Sequence, residues 1–176
     1  VDAIMARVFA QAALLELASF ANVPVINGLS DYEHPCQAVG DLLTIWEKAG
    51  GFREVKLSYV GDGNNVLHSL LLAAAKVGMD VAVATPPEYG PNERIVALAQ
   101  QAAKESGGHI SLGADPREAV AGAGVVYTDV WISMGQEGQE EERRAAFPPY
   151  QVNAELLAYA KPTAIVLHCL PAHRGE

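Results

Sequence analysis

Apolar positions along the chain alternate between two textures: short β-branched runs, and longer stretches in which apolar residues recur at helical spacing. The opening "DAIMARVFAQAALLELASFA" belongs to the second kind. Ile4, Val8, Ala12, Leu15 and Ala18 fall near one face, which predicts a helix over this segment. "VPVIN" is a short strand. His34-Pro35 marks a helix start, because proline suits the first helical position, and the helix runs through "CQAVGDLLTIWEKAG". The alternation then continues with "VKLSYVG" as a strand, "NNVLHSLLLAAAKVG" as a helix, "DVAVATP" as a strand and "NERIVALAQQAAKESG" as a helix. "HISLG" (strand), "PREAVAGA" (short helix) and "VVYTDV" (strand) follow. A charged helix around "EGQEEERRAAF" and a short "NAELLAYA" lead to the last strand, "AIVLHCL".

Strands separated by helices predict an α/β fold: a parallel, Rossmann-like, doubly wound sheet with helices on both faces. The strands are continuous apolar runs, as burial on both sides requires. Ligands of such sheets sit beyond the carboxyl ends of the strands. "GDGNN", "DVWISMG" and "HCLP" each follow a strand directly, so these three segments are expected to converge.

Composition narrows the classes. A chain of 176 residues suffices for one domain, or for one domain and a fragment of another. A formal charge of −9 disfavours nucleic-acid binding, which needs a basic face. No apolar run approaches the roughly 20 residues of a membrane span, and "VDAIMARVF" lacks the pattern of a secretory leader. The first residue is Val1 rather than Met, so upstream sequence is expected to have been removed. Two cysteines, Cys36 and Cys169, do not make a disulfide scaffold, and a reducing, cytoplasmic setting is expected.

Each polar cluster carries competing readings. "GDGNNVLHS" offers Gly61 and Gly63 between strand and helix, but Val66 holds the third glycine position of a dinucleotide fingerprint. The next strand also lacks an acid to hold a ribose, so a nucleotide cofactor is not expected. Asn64 and Asn65 divide evenly between capping the helix and binding a carboxylate at its N-terminus. His34 and Gln37 share a face at a helix start and could bind a small polar group; spacing alone favours a plain cap with a solvated glutamine. Cys36, between them, is read as packing. Asp129 and Ser133 could hold an ammonium group, a contact worth roughly 1.5–3 kcal/mol when sheltered; Asp129 as a cap beside a packed Trp131 is equally compatible. His168, Cys169 and His173 suggest a metal, yet adjacent strand residues should face opposite ways, and no metal site is expected. A Cys169 thiolate nucleophile would need an electropositive setting that sequence does not reveal. Arg7 and "QEEERR" read as solvated charge.

Taken together, "MARVF", "NGLSDYEHPCQA", "GDGNNVLHS", "DVWISMGQE" and "HCLPAHRGE", in this order, resemble the ornithine carbamoyltransferases of the aspartate/ornithine carbamoyltransferase superfamily. The resemblance covers essentially the whole chain, and "SMG" is its part specific to ornithine-type acceptors. It implies two α/β domains, one for carbamoyl phosphate and one for the amino acid, assembled as trimers or multiples of trimers. On this basis residues 1–21 are a helix of, or linking from, the carbamoyl-phosphate domain. Residues 22–176 are the ornithine-binding α/β domain, truncated before its C-terminal helix. The family's Ser-x-Arg-Thr-Arg phosphate loop has no counterpart here, so the fragment alone is expected to be inactive.

The resemblance further implies a role for each matched residue. Arg7, His34, Gln37, Cys169 and Leu170 would bind carbamoyl phosphate, Leu170 through its carbonyl beside a cis Leu170-Pro171 bond. Asn65, Asp129, Ser133 and the Met134 backbone would bind L-ornithine. Cys169, Asp129 and His34 would form the catalytic group, with Cys169 and Asp129 near the attacking δ-amine. The reaction would yield citrulline and phosphate, with neither metal nor organic cofactor required. The alternatives are the same chemistry on putrescine or an acylated ornithine, or a non-catalytic amino-acid-binding fragment.

Overall fold

The computed structural model describes residues 1–133 and 136–176. It opens with a small parallel pair of strands, β1 (Ile4–Arg7) and β2 (Val25–Leu29), joined by helix α1 (Gln11–Phe20). The single helix expected from Asp2 onward is therefore wrong in nearly its first half, since α1 begins only at Gln11. Ile4–Arg7 alternates half-buried and exposed residues and aligns with β2 from Ile4↔Val25 to Arg7↔Leu29. Four residues of mixed apolar character fit either period, and pairing with a partner distant in sequence decides between them.

Helix α2 (Pro35–Ala49) begins where the His34-Pro35 step predicts and stops at Gly50, which takes the left-handed conformation a C-terminal cap needs (φ 74°). The main sheet follows: β3 (Lys56–Val60), β4 (Asp80–Ala84), β5 (Ile110–Gly113), β6 (Val125–Thr128) and β7 (Ile165–His168). Between them lie α3 (Asn65–Lys76), α4 (Glu93–Ser106), α5 (Pro116–Val120), α6 (Glu140–Ala146) and α7 (Ala154–Leu157). All pairings are parallel, in the order β5-β4-β3-β6-β7. The chain starts in the centre, winds to one edge, then returns and winds to the other. This is the expected doubly wound α/β sheet, with its switch point between β3 and β6.

Alternate strand residues feed two cores. Leu57, Tyr59, Val81, Val83, Val125 and Tyr127 pack beneath α2, α3 and α4. Val60, Ala82, Ala84 and Val126 face α5, Tyr150 and α7. Tyr59 and Tyr127 stack with ring centroids 5.9 Å apart, and both are fully buried. Gly63 shows why its turn requires glycine. A Cβ there would overlap the backbone of Gly90 and Pro91, while the Gly63 N–H donates to the Tyr89 carbonyl at 2.8 Å. The G-x-G spacing thus serves close approach of two backbones.

The "QEEERR" helix is not wholly solvated. Arg143 is 5% exposed and forms an ion pair with Asp62 at 3.0 Å. Its guanidinium also donates to the Trp131 carbonyl at 3.0 Å and lies over the Tyr89 ring, 4.8 Å from the centroid. A flat, weakly hydrated cation can be buried among aromatic faces and acceptors where a lysine ammonium could not. No helix among the described residues is long and apolar enough to cross a membrane.

Candidate active site

The segments following β3, β6 and β7 converge, as the topology requires, on a cavity of about 520 Å³. The loop between β2 and α2 closes its other side. Arg7, His34, Asn65, Asp129, Ser133, Cys169 and Leu170 all reach it.

Asp129, 7% exposed, forms the floor. Its Oδ1 accepts from the Val130 N–H at 2.8 Å and from the Cys169 thiol at 3.0 Å. Its Oδ2 accepts from Asn64 Nδ2 at 2.7 Å. The donors are neutral, and among the described residues no salt bridge reaches this carboxylate. Asn64 resolves half of the asparagine ambiguity. Its Oδ1 caps α3 by accepting from the Val66 and Leu67 N–H groups at 3.0 and 3.1 Å, while its amide faces Asp129 and Ser133 Oγ (3.4 Å). Asn65 lines the cavity, and its Nδ2 donates to the Ser30 carbonyl at 2.6 Å.

Cys169 is set in electronegative surroundings. Burial and the adjacent Asp129 both push its thiol pKa up, so at neutral pH it is a protonated donor. His168 and Cys169 do not diverge as adjacent strand residues should. The ligand atoms of Asp129, His168 and Cys169 lie within 4.8 Å of one another, because β7 ends at His168 and the backbone turns there. The set is nonetheless occupied by hydrogen bonds: the Cys169 thiol donates to Asp129, and His168 Nδ1 accepts from the Leu170 N–H at 2.9 Å. The Leu170-Pro171 peptide is cis. His173 reaches the cavity rim and contacts Glu176 at 3.2 Å.

Across the cavity stand Arg7, at the end of β1, and His34, at the entry to α2. Burial, then the Arg7 charge, depress the His34 pKa, with Asp129 opposing them, so the imidazole is neutral near pH 7. Its Nδ1 is buried without a partner. His34 makes no side-chain cap for α2, so the plain-cap alternative fails. Gln37 departs from the expected site: it does not line the cavity, and its Nε2 donates to Asp41 Oδ1 one turn along α2, at 2.9 Å. Asp41, itself buried, takes a second hydrogen bond from Tyr127 Oη at 2.8 Å, and this demand for donors draws Gln37 aside. Cys36 is exposed rather than packed, its thiol on the Asn27 carbonyl at 3.2 Å. Met134 lies outside the described residues.

The cavity thus pairs an anionic, hydrogen-bonded floor with a cationic and imidazole-bearing wall. Residues 53–176 match the aspartate/ornithine carbamoyltransferase Asp/Orn binding domain, and residues 1–47 match the carbamoyl-P binding domain of the same family. The chain belongs to the aspartate/ornithine carbamoyltransferase family. The two matches divide between residues 47 and 53. Among relatives of this family, the ornithine carbamoyltransferase of Pyrococcus abyssi is 58% identical over all 176 residues. The structure of ornithine carbamoyltransferase from Pyrococcus furiosus superposes with a TM-score of 0.96 at 58% identity, covering 100% of this chain and 56% of that one. The ornithine transcarbamoylase of Giardia lamblia gives 0.92 at 34% identity, covering 100% of this chain and 60% of that one. The chain spans about 56% of the length of the Pyrococcus relatives it matches.

Several residues that build this family's cavity here escaped sequence reading. Asp62 and Gln136 brace the Ser133 loop: Gln136 Oε1 accepts from the Ser133 N–H at 2.8 Å, and its Nε2 donates to Asp62 at 3.2 Å. His68 and Ser69 contact the loop that carries His34. An acid inside a glycine turn and polar residues inside an otherwise apolar helix were the available signals, and neither names a partner.

Proposed function

We propose that the protein bearing this chain transfers the carbamoyl group of carbamoyl phosphate to the δ-amine of L-ornithine, giving citrulline and phosphate. The observation that carries this reading is the buried Asp129 carboxylate, which accepts from neutral donors and faces a cavity with no cationic partner among the described residues. An unpaired buried charge is costly, and a ligand ammonium supplies the missing counter-charge. Arg7 and the unpartnered imidazole of His34, on the opposite wall, suit the phosphate and carbonyl of the other substrate.

In this scheme Asn65, Asp129, Ser133 and the Met134 backbone hold the amino-acid end of ornithine. An alkyl ammonium with a pKa of about 10.4 must first lose a proton, at roughly 4.6 kcal/mol at pH 7. Transfer into a sheltered cavity lowers that cost, and alignment on the carbonyl lowers the entropic one. The neutral His34 N–H and the Arg7 guanidinium stabilise the oxygen that gains charge as the amine adds to the carbonyl carbon. The tetrahedral centre then collapses: the C–O bond to phosphate breaks, phosphate leaves with that electron pair, and its oxygen takes the proton that the newly bonded nitrogen gives up. Cys169 acts as a hydrogen-bond donor that fixes Asp129, and Leu170 lies beside the carbamoyl group. Gln37 enters this scheme through Asp41, to which its Nε2 donates.

The full-length protein is expected to act in the cytoplasm as a trimer or a multiple of trimers. The reading is tested by supplying it with carbamoyl phosphate and a panel of acceptors: ornithine, N-acetylornithine, putrescine and aspartate. Citrulline formed from ornithine, with at most trace product from the others, is expected. Preference for another acceptor, or ornithine binding in calorimetry without turnover, would overturn it.

A further inference from the structure

Helix α3 presents Asn65, His68 and Ser69 on one face, at relative positions i, i+3 and i+4. These three side chains meet alternate residues of the segment between β2 and α2. Asn65 Nδ2 donates to the Ser30 carbonyl at 2.6 Å, His68 Nδ1 lies 2.8 Å from the Tyr32 carbonyl, and the His34 N–H donates to Ser69 Oγ at 2.8 Å. On its other side His68 Nε2 accepts from the Asn92 N–H at 3.0 Å. With Nε2 accepting, the ring proton sits on Nδ1 and points at Tyr32, so both contacts hold in one tautomer of the neutral ring. His68 and Ser69 are 7% and 4% exposed, so water does not replace these bonds.

The clasp bears on His34 specifically. Among the described residues its backbone is placed by the N–H on Ser69 and by its carbonyl, which accepts from the Ala38 N–H at 3.2 Å. Its side chain makes no cap bond, and its Nδ1 is left for a ligand. We propose that His68 and Ser69 are positioning residues, which grip the 30–34 segment from α3 and so aim His34 into the cavity. His34 belongs to the portion matching the carbamoyl-P binding domain, and α3 to the portion matching the Asp/Orn binding domain. The clasp therefore sets one substrate's group from the other substrate's domain. This inference rests on the carbamoyl-transfer reading above.

The test is steady-state kinetics of the full-length protein with Ser69→Ala, His68→Leu and His68→Asn, each checked for folding by circular dichroism. An asparagine amide can stand where Nδ1–H stands and donate to Tyr32; leucine cannot. Ser69→Ala and His68→Leu are expected to lower kcat/KM for carbamoyl phosphate roughly ten- to hundredfold, the scale of a small displacement of a catalytic group. The ornithine KM should stay within about twofold, and His68→Asn should recover most of the loss. Folded Ser69→Ala with wild-type carbamoyl phosphate kinetics overturns the clasp, as does a parallel rise in ornithine KM or a His68→Asn as impaired as His68→Leu. If His68→Leu does not fold, Ser69→Ala decides alone. Absence of citrulline with the wild-type protein overturns the parent reading instead, which separates the two failures.

Discussion

At Asp129 three neutral donors orient a carboxylate but leave its charge uncompensated. Removing it takes away the counter-charge for an ammonium while leaving Arg7 and His34 in place. Asp129→Ala is therefore expected to raise ornithine KM roughly ten- to hundredfold, the equivalent of a sheltered charged hydrogen bond, with carbamoyl phosphate binding nearly unchanged. Titration of each substrate by calorimetry, alongside KM, checks the split; unchanged ornithine kinetics would remove Asp129 from the site. Cys169 invites the opposite expectation. Its thiol is held protonated by burial and by the carboxylate it donates to, which is the reverse of what a thiolate nucleophile requires. Serine keeps an O–H donor at that position, so Cys169→Ser should retain measurable citrulline formation, within about tenfold of wild type. Complete loss in a folded variant would restore the nucleophile reading.

Among the elements, the strand-helix alternation was legible because buried parallel strands leave continuous apolar runs, and helix starts such as His34-Pro35 carry their own chemistry. Convergence of the segments after β3, β6 and β7 followed from topology alone. What sequence could not supply was pairing between distant residues. Ile4–Arg7 becomes a strand because β2 lies beside it, and Gln37 leaves the cavity because Asp41 and Tyr127 meet below it. Arg143 is the plainest case. In a run of acids and bases it reads as solvated, yet it is the buried tie between α6 and the turn after β3. Arg143→Ala leaves Asp62 buried without its cation and is expected to cost about 3–5 kcal/mol of stability, measured by urea unfolding. Removing both charges together, as Arg143→Met with Asp62→Leu, should cost less than Arg143→Ala alone. A loss of a few tenths of a kcal/mol for Arg143→Ala would show that the pair is not structurally important.

In the molecule as a whole, the portions matching the two family domains are joined by buried polar contacts as well as by packing, and this makes stability depend on pH in a traceable way. Burial depresses the His68 pKa below its ordinary 6.5, against the opposing bond to the Tyr32 carbonyl. Well above pH 6.5 the ring is neutral in both folded and unfolded chains, and its contribution is complete. As the pH falls, the unfolded chain takes up a proton that the folded ring refuses, because protonation would turn the Asn92 N–H against a second N–H. Stability is then lost at up to about 1.36 kcal/mol per pH unit until the folded ring also titrates. Asp41 and Asp62 act with the opposite sign. Burial raises their pKa values above 3.8, so the folded state binds their protons first and gains stability as pH falls through that higher range. The wild-type curve alone is therefore a sum, and subtraction of a variant isolates the imidazole. His68→Asn removes the titrating ring and keeps a donor to Tyr32. The stability gap between wild type and His68→Asn should be constant from about pH 7 to 8 and should shrink steadily below about 6.5, when followed by urea unfolding at each pH. A gap that stays constant down to about pH 5 would mean that the folded ring accepts its proton as easily as the unfolded one, and that the fixed tautomer bridging Tyr32 and Asn92 does not govern His68.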